Sequence, residues 1–591
     1  VNSASTRNWL IVAACIAMAC APLALGDFSV TLMNYIGIYT LVALGLVLLT
    51  GCGGLTSFGQ AAFVGIGAYA TAYLSTAAGW SPWLGLIVAI ALTSFVAMIV
   101  GFVTLHLGGH YLPLSTIAWG FAIYLLFGNF EFLGRYGGLT NIPPVSLFSY
   151  RFEGMRQVYY LIWVIVGICL LLSTNLLRSR QGRAIRALRG GKVLAESLGI
   201  NTFWVKLAVF VIAAALAGLA GWLYAHMQRF VSPAPFDLRA GIEFLLMAVL
   251  GGSGYVTGAV IGAAAVALSK NWLQDLLPYV TSNSGNLEIV VFGCMFILLL
   301  QFSRGGIVPI LLRYLPRFTT PVAVKGSAKE LPLRPMPQKG TPLLRLDAVS
   351  KSFGGLKAVN GVSFTVHAGE LVALIGPNGA GKSTTFNLVT GVIPPTSGKV
   401  SFAERDVTGV PPHAAVGVGL ARTFQHVKLR PTMSVLENVM LGAYARGSAG
   451  YFAGALRFDR AEEAAIRALS LSQIADVGLA EQANALAGNL ALGQQRLVEI
   501  ARALAADPAM LMLDEPAAGL RSREKAALSD LLKRLRANGT TILLVEHDMD
   551  FVMGLADRIV VLDFGKKLAE GVPEEIRRNP AVQEAYLGGV A

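Results

Sequence analysis

The sequence predicts a multidomain chain: an α-helical transmembrane bundle followed by an α/β domain built around a phosphate-binding loop. Three observations carry this expectation. Hydrophobic residues make up 54% of the 591 residues and charged ones only 14%, whereas a soluble chain carries about a quarter charged. That apolar excess fills residues 9–315, and the remainder has the composition of an ordinary soluble α/β protein. Finally, residues 376–384 read Gly-Pro-Asn-Gly-Ala-Gly-Lys-Ser-Thr, which meets the spacing G-x-x-x-x-G-K-[ST] of a phosphate-binding loop.

The membrane half comes first. A hydrocarbon core of about 30 Å needs about 20 apolar helical residues. Candidate spans are 9–25, 30–50, 61–79, 84–106, 111–130, 158–177, 203–226 and 287–303, with a longer, glycine-broken stretch at 241–272. The break at Gly251-Gly252-Ser253-Gly254 allows that stretch to cross twice or to dip in and return. Dense glycine in the spans (Gly65, Gly67, Gly218, Gly221, Gly258, Gly262) is expected to serve close helix packing. Gln60, Glu243 and Glu288 lie in or beside the spans and receive no role from the sequence. The first span, with Arg7 before it and small residues after it, also fits a signal peptide.

The net charge of +13 is concentrated in residues 178–206 and 304–339, both flanking hydrophobic segments. The positive-inside tendency accounts for this without a nucleic-acid partner and makes both segments cytoplasmic. The five cysteines all lie in the membrane half without C-x-x-C spacing, which disfavours a metal site or disulfide framework. Prolines 316, 321, 332, 335, 337 and 342 punctuate a basic connector, so the domains are expected at 1–316 (transmembrane), 317–342 (linker) and 343–591 (nucleotide-binding).

In the soluble half the loop has the context it needs. Leu371-Val-Ala-Leu-Ile375 reads as a buried strand before it, and an apolar helix follows from Ser383 to Val389. Gly376, Gly381, Lys382 and Ser383 match the motif. Backbone N–H groups would wrap the phosphates, Lys382 would reach the β/γ-phosphates, and Ser383 would help hold Mg²⁺. Further elements follow in order. Ala509-Met-Leu-Met-Leu513 is a strand ending in Asp514-Glu515, an acid pair suited to Mg²⁺ and to polarising the attacking water. Leu543-Leu-Val-Glu-His547 is a second strand, whose His547 would contact the γ-phosphate. Thr423-Phe424-Gln425 places an amide to sense metal and water. Leu490-Ala-Leu-Gly-Gln494 opens a helix whose glycine-containing N-terminus suits a phosphate. Phe353, read as preceding the first strand, would stack on adenine.

Together these elements resemble the ATP-binding-cassette (ABC) ATPase over essentially all of 343–587. The resemblance implies a Walker A loop at 376–384, with Asn378, Gly379 and Thr384 also at the nucleotide. It implies a glutamine loop at Gln425, a signature at 490–494 with Gly493 and Gln494, a Walker B strand at 510–515 and a switch histidine at His547. It makes Glu515 the general base, puts Gln425, Ser383 and Asp514 at Mg²⁺, and sandwiches two ATP molecules between two such domains.

Arg422-Thr-Phe-Gln, Ser434-Val-Leu-Glu-Asn-Val and Glu515-Pro-Ala-Ala-Gly-Leu further resemble the first ATPase of branched-chain amino-acid importers. Leu55-Thr-Ser-Phe-Gly-Gln-Ala-Ala-Phe-Val-Gly-Ile-Gly-Ala-Tyr, Ala195-Glu-Ser-Leu-Gly-Ile and Val249-Leu-Gly-Gly-Ser-Gly resemble their second permease. The resemblance implies a fused permease and ATPase in the cytoplasmic membrane, with a short coupling helix in the 178–206 loop that docks on an ATPase. Its implied partners are a second permease, a second ABC ATPase and an extracytoplasmic substrate-binding protein. Two departures stand out: Ala491 replaces the usual signature serine, and Arg521 stands where the subfamily has asparagine. Three other readings stay open: an ABC exporter half-transporter, an importer of urea or short amides, and a non-hydrolysing cassette. The exporter reading predicts six long helices, against the larger number counted above.

Overall fold

The computed structural model describes residues 16–106, 111–276, 305–314 and 331–587, with positions 13, 293, 294, 297 and 301 besides. The chain divides into two compact units. One comprises Val1–Arg178 with Phe203–Val322, the other Ser179–Thr202 with Ala323–Ala591.

The first unit is helical. It contains α1 (Asp27–Leu46, continued by a π-helical turn at Val47–Cys52), α2 (Gln60–Ala77), α3 (Pro82–Leu105), α4 (Tyr111–Asn129) and α5 (Met155–Arg178). After α6 (Arg180–Ala187), which belongs to the second unit, come α7 (Thr202–Gln228), α8 (Leu238–Gly252) and α9 (Val256–Leu276). Among the described residues six helices are long and apolar enough to cross a membrane: 27–52, 82–105, 111–129, 155–178, 202–228 and 256–276. The expected span 61–79 is present as α2, but most of its residues, Gln60, Thr71 and Ser75 included, are buried in protein. A helix shielded from lipid tolerates polar groups that lower its mean hydropathy. The expected span 9–25 is helical at 16–24, and most of its start, like most of the span 287–303 and Glu288, lies outside the described residues. Helix number among these residues therefore does not separate importer from exporter.

The stretch 241–272 resolves into α8 and α9, an antiparallel hairpin that turns at Ser253–Tyr255. Its two helices meet at glycine. A Cβ on Gly251 would lie 1.8 Å from the Gly258 carbonyl oxygen, and one on Gly262 would lie 1.8 Å from that of Met247. No side chain fits there, so these glycines allow close backbone approach, as expected of small residues in membrane helices.

The second unit is an α/β layer structure. Its strands are β1 (Pro342–Phe353), β2 (Leu356–His367), β3 (Leu371–Ile375), β4 (Ser397–Phe402), β5 (Arg405–Asp406), β6 (Leu420–Arg422), β7 (Met510–Asp514), β8 (Thr541–Val545), β9 (Arg558–Asp563) and β10 (Lys566–Gly571). The helices that matter below are α10 (Lys382–Val389), α11 (Val435–Gly442), α12 (Arg460–Asp476), α13 (Leu492–Leu504) and α14 (Ser522–Ala537). A six-stranded sheet runs in the order β10-β9-β3-β8-β7-β6, parallel except for the β9–β10 edge. A four-stranded antiparallel sheet runs β2-β1-β4-β5.

Strand β7 shows why the central strands read as continuous apolar runs. Leu511 and Leu513 point into a core with Val439, Ile466, Val498 and Leu532 of the helices. Met510 and Met512 point the other way, onto Leu344, Phe364 and Val400 of the antiparallel sheet and Phe386 of α10. Strands covered on both faces carry apolar residues at every position. Phe353 corrects an expectation: rather than preceding the first strand, it is the last residue of β1, paired with Leu356 across the hairpin to β2.

Part of the connector is also more fixed than an extended linker. The Arg334 backbone N–H donates to Asp507 at 2.6 Å, and its guanidinium donates to the Gly417 carbonyl at 3.0 Å.

The basic segment 179–202 packs with the cassette. Arg183 of α6 is 3% exposed and pairs through both guanidinium nitrogens with Glu463 of α12, at 2.7 and 2.9 Å. Arg180 donates to the carbonyls of Tyr444, Gly447 and Ala449 and lies 4.5 Å from the Tyr444 ring centroid. Arg186 meets Glu437 of α11 at 2.9 Å. A positive-inside charge bias is thus only part of the reason for these arginines. Their planar forks match carboxylates and carbonyls in a docked contact.

Candidate nucleotide site

The site forms at the carboxyl ends of β3, β7 and β8, where an open parallel sheet places its ligands. Strand β3 is buried at every residue and delivers the chain into the loop 376–381. Gly376 and Gly381 have φ of +153° and +94°, and a Cβ on them would lie 2.1 Å from the Leu562 carbonyl and 2.5 Å from the Ala358 carbonyl. Only glycine fits both the dihedrals and the space. The loop ends at the N-terminus of α10, where Ser383 and Asn378 are exposed, as is Gly379, and Thr384 is half-buried. Lys382 is buried and folds back, its ammonium donating to the carbonyls of Gly376 at 2.8 Å and Pro377 at 2.9 Å. Burial lowers its pKa, against the opposing pull of Glu515 and Asp514.

Asp514 ends β7 and is 6% exposed. Its backbone N–H donates to the Thr423 hydroxyl at 3.3 Å, and its buried Oδ1 has no hydrogen-bond partner. Burial pushes its pKa up to about 6, opposed by Arg422 and reinforced by Glu515. Glu515 stands in the left-handed region at φ +45°, a conformation that costs a non-glycine residue on the order of 1–3 kcal/mol. Its N–H donates to Val545 of β8 at 2.8 Å, which holds it there. That twist turns the carboxylate toward two of the expected residues. The Gln425 amide donates to Glu515 Oε2 at 3.0 Å, and His547 Nδ1 lies 3.8 Å from the same oxygen.

The structure thus brings Lys382, Asp514, Glu515, Gln425 and His547 to one end of the sheet. Four further residues singled out in the sequence have other neighbours. Gly493 and Gln494 open α13, where Gln494 accepts from the Ala491 N–H at 3.3 Å and Gly493 lies against Glu524. Arg521 caps α14, its N–H donating to Glu524 at 2.9 Å. Phe353 stands at the end of β1, 49% exposed, with the Lys351 ammonium 5.3 Å from its ring centroid.

Several buried polar residues that support the site were missed by sequence reasoning. Arg422, nearly buried, sits between the rings of Phe386 and Phe424 at 4.8 and 4.9 Å and donates to Asn387 and Thr390. Burial lowers its pKa to about 10. Glu546 is fully buried behind His547, accepting from the N–H of Ala517 at 2.7 Å and of His547 at 3.1 Å; burial raises its pKa. Arg496, Glu499 and Arg502 lie on one face of α13 and grip the glutamine loop. Arg496 donates to the Phe424 and Gln425 carbonyls, Glu499 accepts from the Lys428 N–H at 2.8 Å, and Arg502 donates to the Lys428 carbonyl at 2.8 Å. Their spacing of three residues, with charges on the buried face of an amphipathic helix, is the signal that could have found them.

The site's oxygens suit a hard divalent cation: a buried Asp514 Oδ1 without a partner, the Ser383 hydroxyl and the Gln425 amide. The residues present fit such a group.

Comparison with known proteins agrees on both halves. Residues 28–300 match the family model for the permease component of the branched-chain amino acid transport system. Residues 359–518 match the ABC transporter model, and 566–591 that of the branched-chain amino acid ATP-binding cassette transporter. Over 251 residues the chain is 47% identical to the high-affinity branched-chain amino acid transport ATP-binding protein LivG of Salmonella typhimurium, covering 42% of this chain and 98% of that protein. LivG of Escherichia coli is 46% identical and BraF of Pseudomonas aeruginosa 43%, each at the same coverage.

Proposed function

Because the chain belongs to the branched-chain amino acid ABC transporter family, with permease and ATP-binding components in one polypeptide, we propose that it drives branched-chain amino acids inward at the cost of ATP. The observation that carries this reading is the cluster of Lys382, Asp514, Glu515, Gln425 and His547 on the same chain as the permease. The chain is a membrane protein with a cytoplasmic ATPase domain. Its membrane is the cytoplasmic (inner) one. Its partners are a second permease, a second ABC ATPase and an extracytoplasmic substrate-binding protein, and its domains are 1–316, 317–342 and 343–591.

In the cassette, the N–H groups of Gly376–Lys382 cradle the phosphates, with Asn378, Gly379 and Thr384 beside them. Lys382 leaves the carbonyls of Gly376 and Pro377 for the β/γ-phosphates, and Phe353 stacks on the adenine. Mg²⁺, held by Ser383, Asp514 and Gln425, would neutralise charge between the phosphates. Glu515 takes the proton of the attacking water and His547 steadies the γ-phosphate. The Gln425–Glu515 hydrogen bond supports this arrangement, because it links the metal-sensing amide directly to the base. Gly493 and Gln494 contact Glu524 and the start of α13 rather than the residues of that cluster, which supports their service to the ATP of the opposing cassette. The expected contact there lacks a hydroxyl at Ala491, one hydrogen bond of roughly 1.5–3 kcal/mol.

The experiment is vesicle uptake: the chain with its partner subunits in proteoliposomes, ATP on the cassette side, labelled leucine and binding protein on the other. Accumulation of leucine that requires ATP supports the reading. Net outward pumping, or uptake of short amides without uptake of leucine, overturns it.

A further inference from the structure

The first unit holds a cavity of about 690 Å³ at the open end of the α8–α9 hairpin, away from the Ser253–Tyr255 turn. That volume lies within the range of small-molecule sites, about 300–1,000 Å³. Its lining combines four charged side chains with apolar walls. Asp237 and Arg239 stand at the start of α8, Glu243 one turn further along, and Lys270 opposite on α9. The Lys270 ammonium donates to Glu243 Oε1 at 2.9 Å, and both side chains remain partly accessible, at 41% and 31%. Ile38, Phe236 and Phe244 form the apolar wall, with the phenol rings of Tyr39 and Tyr224 between wall and charges.

Among the described residues, two acids and two bases leave the lining with no net charge. An anion or a cation would meet one opposite and one like charge of the pair, whereas a zwitterion meets both partners at once. The Glu243–Lys270 pair presents opposite charges side by side on the cavity wall, within reach of a ligand. A ligand carrying an ammonium and a carboxylate on one carbon pairs with both charges, each of its groups against the opposite one. Lys270 lies within the candidate span 256–276, and ionisable residues of such spans that face a cavity mark substrate paths. The apolar wall then suits an aliphatic side chain, and the partial exposure of the pair leaves room for exchange.

We propose that this cavity is a binding site for zwitterionic amino acids along the translocation path, with Glu243 taking the ammonium and Lys270 the carboxylate. The proposal rests on the uptake reading above and names the substrate-contacting residues within the permease. Glu243 and Lys270 were without a role at the sequence level, because a lone acid and a lone base 27 residues apart become a pair only when the hairpin closes.

The test uses the assembled transporter in nanodiscs without binding protein. Equilibrium binding of labelled leucine is measured in competition with 4-methylpentanoate, which lacks the ammonium, and isoamylamine, which lacks the carboxylate. Leucine is expected to bind, with each analogue competing at least tenfold less well. Glu243→Gln should weaken leucine tenfold or more and remove its advantage over 4-methylpentanoate. Lys270→Gln should do the same against isoamylamine. The double variant Glu243→Gln/Lys270→Gln leaves neither partner of the pair as a lone charge, serves where a single variant does not assemble, and should lose both preferences. Wild-type affinity and preferences in the double variant overturn the proposal. So does an equal loss for all three ligands, or a wild-type complex that takes up leucine yet binds none. Wild-type vesicles that take up no amino acid at all would instead overturn the uptake reading.

Discussion

Arg183 and Glu463 form a two-bonded ion pair, at 2.7 and 2.9 Å, between the short helix after α5 and the helical part of the cassette. The arginine is 3% exposed and the glutamate side chain 19%. Breaking a buried pair by removing one partner costs about 3–5 kcal/mol, because the remaining charge is left without a counterion. Arg183→Ala is expected to reduce leucine uptake at least tenfold while nucleotide binding to the cassette persists. The reversed pair Arg183→Glu/Glu463→Arg should recover part of the uptake. If Arg183→Ala vesicles accumulate leucine at the wild-type rate, this contact does not transmit the cassette's motion.

Glu515 is the proposed base. Glu515→Gln keeps the hydrogen bond from Gln425 sterically feasible and removes only the proton acceptor. Steady-state phosphate release should fall about 10²–10⁴-fold, with ATP affinity by equilibrium titration within a few-fold of wild type. Unchanged turnover would remove Glu515 from the chemistry.

Gly376→Ala tests the phosphate loop through sterics alone. The new methyl group would meet the Leu562 carbonyl at 2.1 Å in a backbone conformation of φ +153°. Loss of ATP binding with retained folding of the sheet, read by nucleotide titration and circular dichroism, is the expected result. Gly417→Ala, where a Cβ meets nothing within 4 Å, is the matched control and should bind ATP normally.

Asp514 carries a pH signature. Its pKa of about 6 in the folded chain lies above the usual carboxylate value, so the folded protein holds a proton that the unfolded chain releases. This carboxyl therefore lowers stability as pH rises through about 4 to 6. A divalent cation needs the ionised form, so metal binding competes with that proton. Apparent Mg²⁺ affinity in ATP hydrolysis should drop about fourfold between pH 7.5 and 5.5, as the ionised share falls to about a quarter. Asp514→Asn should flatten that dependence and weaken Mg²⁺ at every pH.

Arg496 holds the glutamine loop by donating to two carbonyls, those of Phe424 and Gln425. Arg496→Ala should lower kcat tenfold or more with little change in KM for ATP, since its hydrogen bonds go to the loop that carries Gln425. Arg496→Lys should restore part of the rate. A change confined to KM would assign this arginine to nucleotide binding instead.

The phosphate loop, the acids after β7 and the histidine after β8 were legible because each sits at a fixed offset from a short apolar strand. A buried parallel strand needs such a run, and the residues at its carboxyl end emerge where an open sheet places its ligands. The same logic failed at Arg422, Glu546 and the Arg496–Glu499–Arg502 face. These are polar groups in buried places, and only their partners, from Asn387 to Lys428, make burial tolerable.

By itself the amino-acid order determined the two-part plan, the membrane half, the phosphate loop and the identity of the site's acids, since hydropathy and short-range spacing are properties of neighbours along the chain. Tertiary structure alone decided that residues 179–202 pack with the cassette, that Gln425 reaches Glu515 across 90 positions, and that Glu243 meets Lys270 beside a cavity. Those are contacts between distant segments. They exist because the burial of apolar faces brings the segments together, and nothing local to either residue specifies its partner.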